Sequence, residues 1–140
     1  MYASAADLQT RIGDVFAELY RRLDGTTMAD EASADLAAAS AEIDGAVGMR
    51  YAVPVSSEQA LPLLKNWCLT LAEELAWARS GRQTPESVKD RVKTVRELLG
   101  KVAAGSFSLA GASLQATENG IIAEIECDEP VFGRRRMRGF

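Results

Sequence analysis

The chain has 140 residues and a net charge of −4, enough for one domain with a modest core. Apolar residues make up 47% but aromatics only 6%, with much alanine, so closely packed helices are expected, and burial in an oligomer would add to their modest core. There is no histidine, no run of about 18 apolar residues and no basic-then-apolar N-terminus, which argues against imidazole chemistry, a membrane span and a signal peptide and for a soluble, intracellular product.

Ser4 to Asp7 has the form of a capping box, so a short helix follows, with Leu8 and Ile12 on its apolar side. Gly13 loosens it, and Val15, Phe16, Leu19, Tyr20 and Leu23 continue the pattern until Asp24-Gly25 stops it. Thr26 to Ser33 reads as a polar linker with Asp30 and Ser33 as caps. The carboxylates of Asp24, Asp30, Glu31 and Asp35 lack the alternating ligands of a calcium loop and read as a solvated acidic loop.

Leu36 to Val55 is the stretch around which the chain is expected to be built. Leu36, Ala39, Ile43, Val47 and Tyr51 recur at three and four residues, the spacing of one helix face, and Pro54 ends the helix. Asp44 and Arg50 ride on the same element and are free to reach another helix or another chain. Ser57 caps the next helix, Pro62 sits in its first turn, and Leu64, Trp67, Cys68, Leu71, Leu75 and Ala76 make its stripe until Gly81. Trp77 falls beside that stripe and can reach a neighbouring element. Thr84-Pro85-Glu86 starts a further helix with Val88, Val92, Val95, Leu99 and Val102 on its core side, and Gly105 ends it. Beyond it, Ala112 to Glu118 and Ile121 to Cys127 flank Asn119-Gly120, the dipeptide suited to a two-residue hairpin turn. Pairing about that turn sets Leu114 opposite Ile125, Ala116 opposite Ala123 and Ala112 opposite Cys127 on one face, with glutamates on the other. The fold class is therefore mainly α: a bundle of four to five helices over residues 1–105, then a β-hairpin and an extended basic tail over residues 106–140.

Chemistry is sparse. No phosphate loop, nucleophile elbow or paired-cysteine motif is present, and Cys68 and Cys127 read as free, buried or half-buried thiols. Glu42 with Asp44, and Glu73 with Glu74, point apart on helices and read as exposed salt-bridging groups. No catalytic residue, metal or cofactor is implied, and the chain is expected not to be an enzyme. The last ten residues hold Arg134, Arg135, Arg136 and Arg138 and no acid; this +4 leaves −8 on residues 1–130. Such a tail allows an alternative reading, a helical regulatory or nucleic-acid-binding module, but the acidic body and the acids interleaved among Lys89, Arg91, Lys93, Arg96 and Lys101 argue against a basic groove.

Read as Ser-Ala-Glu-Ile-Asp-Gly followed by Arg-Tyr-x-Val-Pro, the central stretch resembles a signature of a small helical head-tail adaptor family of Mu-like phages and prophages. The likeness includes Met1-Tyr2-Ala3, Pro62-Leu63-Leu64, Ala104-Gly105 and Val131-Phe132 to Arg138-Gly139-Phe140, and weakens at Asp24 to Ser33 and Phe107 to Cys127. It implies a ring homo-oligomer, of twelve copies where it matches a portal, set between the portal protein and a tail-side stopper or terminator. Genome DNA would pass through without sequence-specific binding, and no membrane is involved. The protein would sit in the head-tail neck of the virion, after a period in the host cytoplasm. The resemblance assigns structural signature roles to Ile43, Asp44, Arg50, Tyr51 and Pro54. Partner docking falls to Phe132, Arg134, Arg135, Arg136, Arg138, Gly139 and Phe140, where Gly133 and Arg135-Arg136-Met137 depart from the mixed polar and acidic residues expected of relatives.

Overall fold

A computed structural model of the chain describes residues 1–20 and 27–114. The described residues are mainly helical: α1 (Ala5–Ile12), a 3-10 turn (Gly13–Val15), the single-turn α2 (Phe16–Leu19), α3 (Met28–Val47), α4 (Leu61–Ser80) and α5 (Glu86–Ala104). They contain no strand, only an isolated antiparallel bridge between Tyr51 and Leu114. Asn119-Gly120, the proposed hairpin turn, Cys127 and the tail from Phe132 to Phe140 lie outside the described residues, as do Leu23 and Asp24-Gly25.

The capping box forms as expected. Ser4 Oγ accepts from the Asp7 amide at 3.3 Å, and the Asp7 carboxylate accepts from the Ser4 amide at 3.0 Å. Leu8 is fully buried, and Phe16, Leu19 and Tyr20 carry the apolar face onward after the break at Gly13.

Helix α3 begins and ends earlier than the sequence suggests. Thr27 is its cap, its hydroxyl accepting from the Asp30 amide at 3.0 Å, so Asp30, Glu31 and Asp35 belong to a helix and not to a solvated loop. Asp35 is buried outright. The helix stops at Val47, seven residues before Pro54, and Gly48 to Arg50 form a turn. Two glycines, Gly45 and Gly48, weaken helix propensity just there. The stripe Leu36, Ala39, Ile43, Val47 is buried as expected. Tyr51 is buried too, but from beyond the helix, its amide still reaching the Val47 carbonyl at 2.9 Å. Asp44 and Arg50 thus lie on different elements.

Helix α4, and not α3, is the most enclosed element. It packs against α1, α2, α3 and α5 and buries residues on nearly every side between Leu64 and Ala76. Its start has Pro62 in the first turn, but Ser57 does not cap it: the N-cap is Ala60, and the Ser57 backbone carbonyl accepts from the Ala60 and Leu61 amides. Leu75 is only partly buried, while Trp77 packs half-buried against the core. Helix α5 buries Val88, Val92, Val95, Leu99 and Val102, as their spacing predicts. Its cap is Pro85, one residue later than Thr84, and no side chain caps it. Gly81 and Gly105 are the C-caps of α4 and α5.

Candidate functional site: a hydrogen-bonded junction at the end of the bundle

The signature residues converge on a junction where three pieces of chain meet: the N-terminal segment, the loop from Gly48 to Ser57, and an arm running from Gly105 to Leu114. Ile43 is the apolar anchor beneath it, with no solvent exposure. Next to it in sequence, half-buried Asp44 accepts the hydroxyl of Tyr2. That hydroxyl in turn accepts the Val55 amide at 3.0 Å, so a single oxygen ties the N-terminal segment to α3 and to the loop. Burial, helped by the neighbouring Asp44 carboxylate, pushes the Tyr2 phenol up to about 12. The Tyr2 amide meets Ser40 Oγ at 3.2 Å, and Ser40 lies 3.3 Å from the buried thiol of Cys68 on α4. Cys68 is a free thiol, and burial raises its pKa, which makes it inert and not nucleophilic.

The arm is held by Tyr51 of the signature together with Ala52 and Ser57 of the same loop. The buried Tyr51 hydroxyl accepts the Leu109 amide at 3.1 Å. Ala52 donates its amide to the Ser113 carbonyl at 2.9 Å, and Ser57 Oγ donates to the Ala110 carbonyl at 2.8 Å. Apolar contacts back these bonds: Leu109 is buried, and Phe107 meets the Trp67 ring at a centroid distance of 6.0 Å. Arg50 lies over Gly105, where φ is +90° and a Cβ would run into its guanidinium. The positive φ is what calls for glycine there, since the exposed guanidinium is the far end of a flexible side chain and can move aside. At Gly111, φ +71°, a Cβ would come within 2.5 Å of Ser57 Oγ, the group that holds the arm. Pro54 is exposed and follows a cis Val53–Pro54 bond in the same loop. Asp44 therefore finds its partner within this chain, while exposed Arg50 lies against Gly105.

Two charged clusters brace the bundle away from the junction, and the sequence reading missed both as buried features. Asp35 accepts the Tyr20 hydroxyl at 2.8 Å and is forked by the Arg79 guanidinium. Burial first and then Asp35 push the Tyr20 phenol well above its ordinary range, while the bond to Asp35 raises Arg79. Glu73 is buried and not exposed: Arg11 of α1 and Arg91 of α5 flank it at 3.4 and 3.2 Å. Arg11 also donates to Asn66 and Thr70 at 2.8 and 2.9 Å. Burial lowers the Arg11 pKa against the pull of Glu73. A groove of about 410 Å³ runs over this cluster between Arg11, Trp67, Thr70 and Arg91. Glu42 and Glu74, by contrast, are paired at the surface with Arg96, as expected of salt-bridging groups. The spacing of Asp35 and Arg79 in sequence carries no signal of their contact; only the helix-face position of Asp35, beside Leu36 and Ala39, hinted at burial.

Among the described residues no group of three or more His, Cys, Asp or Glu side chains is placed to hold a metal. No helix among them is long and apolar enough to cross a membrane. The arrangement defines a helical bundle whose distinctive residues fasten chain segments to one another. The model of the bacteriophage Mu Gp36 family matches residues 2–123, and the chain belongs to that family. The match takes in the whole junction and Asn119-Gly120 and stops short of the segment from Phe132 to Phe140. A comparison with curated proteins finds no match.

Proposed function

We propose that the protein is a structural head-tail adaptor of a Mu-like phage particle, acting by assembly and without catalysis. In this reading many copies, twelve where the portal is twelve-fold, form a ring between the portal protein and a tail-side stopper or terminator. Genome DNA passes through the centre. The observation that supports it most is the junction. Of the signature residues, Asp44 and Tyr51 fasten the N-terminal segment and the 105–114 arm to a bundle in which Ile43 is buried, which suits a part that transmits position between partners. An acidic body also suits a lumen for DNA, since like charge prevents adhesion. The tail, with Phe132 and Phe140 bracketing its arginines, is read as a tether that places an aromatic in a pocket and forks arginines onto carboxylates.

The test is mass and symmetry, by native mass spectrometry and electron microscopy, of full-length protein alone and with portal protein. Discrete ring-sized assemblies are expected. Deleting residues 131–140 is expected to abolish portal association while leaving helical content unchanged. Normal portal association with loss of salt-sensitive duplex DNA binding would instead favour a nucleic-acid module.

A further inference from the structure

The groove between α1, α4 and α5 runs up against the arm. Along α5 its lining passes from Arg91 through Thr94 to Leu98, and on α4 it takes in Thr70 and Trp67. The two helices are joined by residues 81–85 and run back past each other. Arg91 pairs with Glu73, which fixes one end of the groove; Trp67 lies earlier on α4 and falls at the other, with Leu98. The arm returns to that second end. Its Phe107 ring meets the Trp67 ring, and the Phe107 amide donates at 3.2 Å to the carbonyl of Lys101, about one turn beyond Leu98. Trp67 thus lines an open groove and carries Phe107, and keeps only 2% of its surface exposed.

Little holds the arm beside what holds the helices. Among the described residues its ties to the loop are the bonds at the Leu109 amide and at the Ala110 and Ser113 carbonyls. The apolar side chains it seats on the core are Phe107, Leu109 and Ala112, and of these only Leu109 is fully enclosed. Helix α5 alone buries five valines and leucines, and α3 and α4 bury more. The arm also leaves α5 at Gly105, where φ is +90° and no side chain restricts the backbone from turning. Segments with few buried contacts open at free energies well below that of global unfolding.

We propose that residues 105–114 are a strap that opens as one unit about Gly105 while the helices stay folded, uncovering Trp67 and lengthening the groove. Closed, the strap seats Phe107 on Trp67 and Leu109 beneath the Tyr51 hydroxyl. Open, it joins the bared Trp67 ring to Val95 and Leu98 as one apolar surface, with Arg11 and Arg91 at its far end. The double duty of Trp67 carries this inference, and it stands whether or not the adaptor reading is right.

Two measurements on the full chain test it. In the unaltered protein, amide hydrogen exchange should give Leu109 and Ala52 the same protection, roughly tenfold or more below that of the α4 interior. The first donates from the strap to the loop and the second from the loop to the strap, so a unitary opening frees both together. The second measurement is the extent of Trp67 alkylation by a tryptophan-selective nitrobenzyl bromide, located by peptide mass, since a buried ring reacts only when it is uncovered. Tyr51→Phe removes one tie, and Gly111→Ala drives a Cβ to 2.5 Å from Ser57 Oγ at a φ of +71°. Each should raise Trp67 alkylation severalfold, by the factor that it speeds Leu109 exchange, with helical circular dichroism unchanged. Unchanged alkylation in both variants would overturn the proposal. So would Leu109 and Ala52 amides that exchange no faster than the α4 interior, or alkylation that rises only as helix content falls.

Discussion

Between α3, α4 and α5 the chain excludes water with alanine, leucine and valine; at the junction it joins loops through single polar atoms. Ile43 and Tyr51 make the contrast concrete. Ile43 contributes by burial alone, a term proportional to area and indifferent to direction. Tyr51 is buried as well, yet its hydroxyl has one task, accepting the Leu109 amide. Loss of an interior side chain is therefore felt by the whole bundle. Loss of a junction atom should be felt by one segment, because the helices beneath do not depend on it.

Ile43→Asp should break the first region entirely. An unpaired carboxylate there costs several kcal/mol, on the order of the total stability of a domain this size. Circular dichroism should show lost helicity, and wild-type helicity and melting would contradict the packing described. Next in size is Asp35→Ala, which strands the buried Tyr20 hydroxyl while Arg79 rehydrates. A loss of about 2 to 3 kcal/mol is expected in urea unfolding. Asp35→Asn, which keeps an acceptor for Tyr20, should lose less. That pair of variants sharpens the comparison, since Asp35 is a polar tie placed inside the apolar region.

A smaller effect distinguishes the junction by pH. The Tyr2 phenol is raised from 10 to about 12 in the folded chain, so its contribution is fully present below pH 10 and is lost as pH rises from 10 through 12. The melting temperature of wild type should exceed that of Tyr2→Phe at neutral pH, and the gap should close over that window. No gap at neutral pH would mean that Tyr2 acts through its ring alone, and a gap that stays constant to pH 12 would contradict the raised phenol.

The two regions also differed in how far they could be read from sequence. Periodicity located the interior: Leu36, Ala39, Ile43 and Val47 on α3 and the valine stripe of α5 are buried where spacing places them. It extended α3 too far, because Tyr51 keeps the helical spacing while sitting beyond the turn that Gly48 opens. Propensity rules started α3 too late, treating acids as loop formers when Thr27 caps a helix that contains them. The junction was visible only as a cluster of recognisable residues. Nothing in the spacing of Tyr2 and Asp44, or of Tyr51 and Leu109, announces a bond across 42 or 58 residues. Glu73 escaped for the same reason, since its burial depends on arginines from two other helices.

The central claim is that Tyr51 and its neighbours serve to hold the arm, and amide hydrogen exchange of full-length Tyr51→Phe tests it most directly. Removing the hydroxyl strands the Leu109 amide at a cost of about 1 to 2 kcal/mol, which should speed its exchange by roughly tenfold or more. Residues 105–114 should lose protection with it while α4 keeps its wild-type protection. Unchanged exchange at Leu109, or an equal loss throughout α3, α4 and α5, would contradict the account.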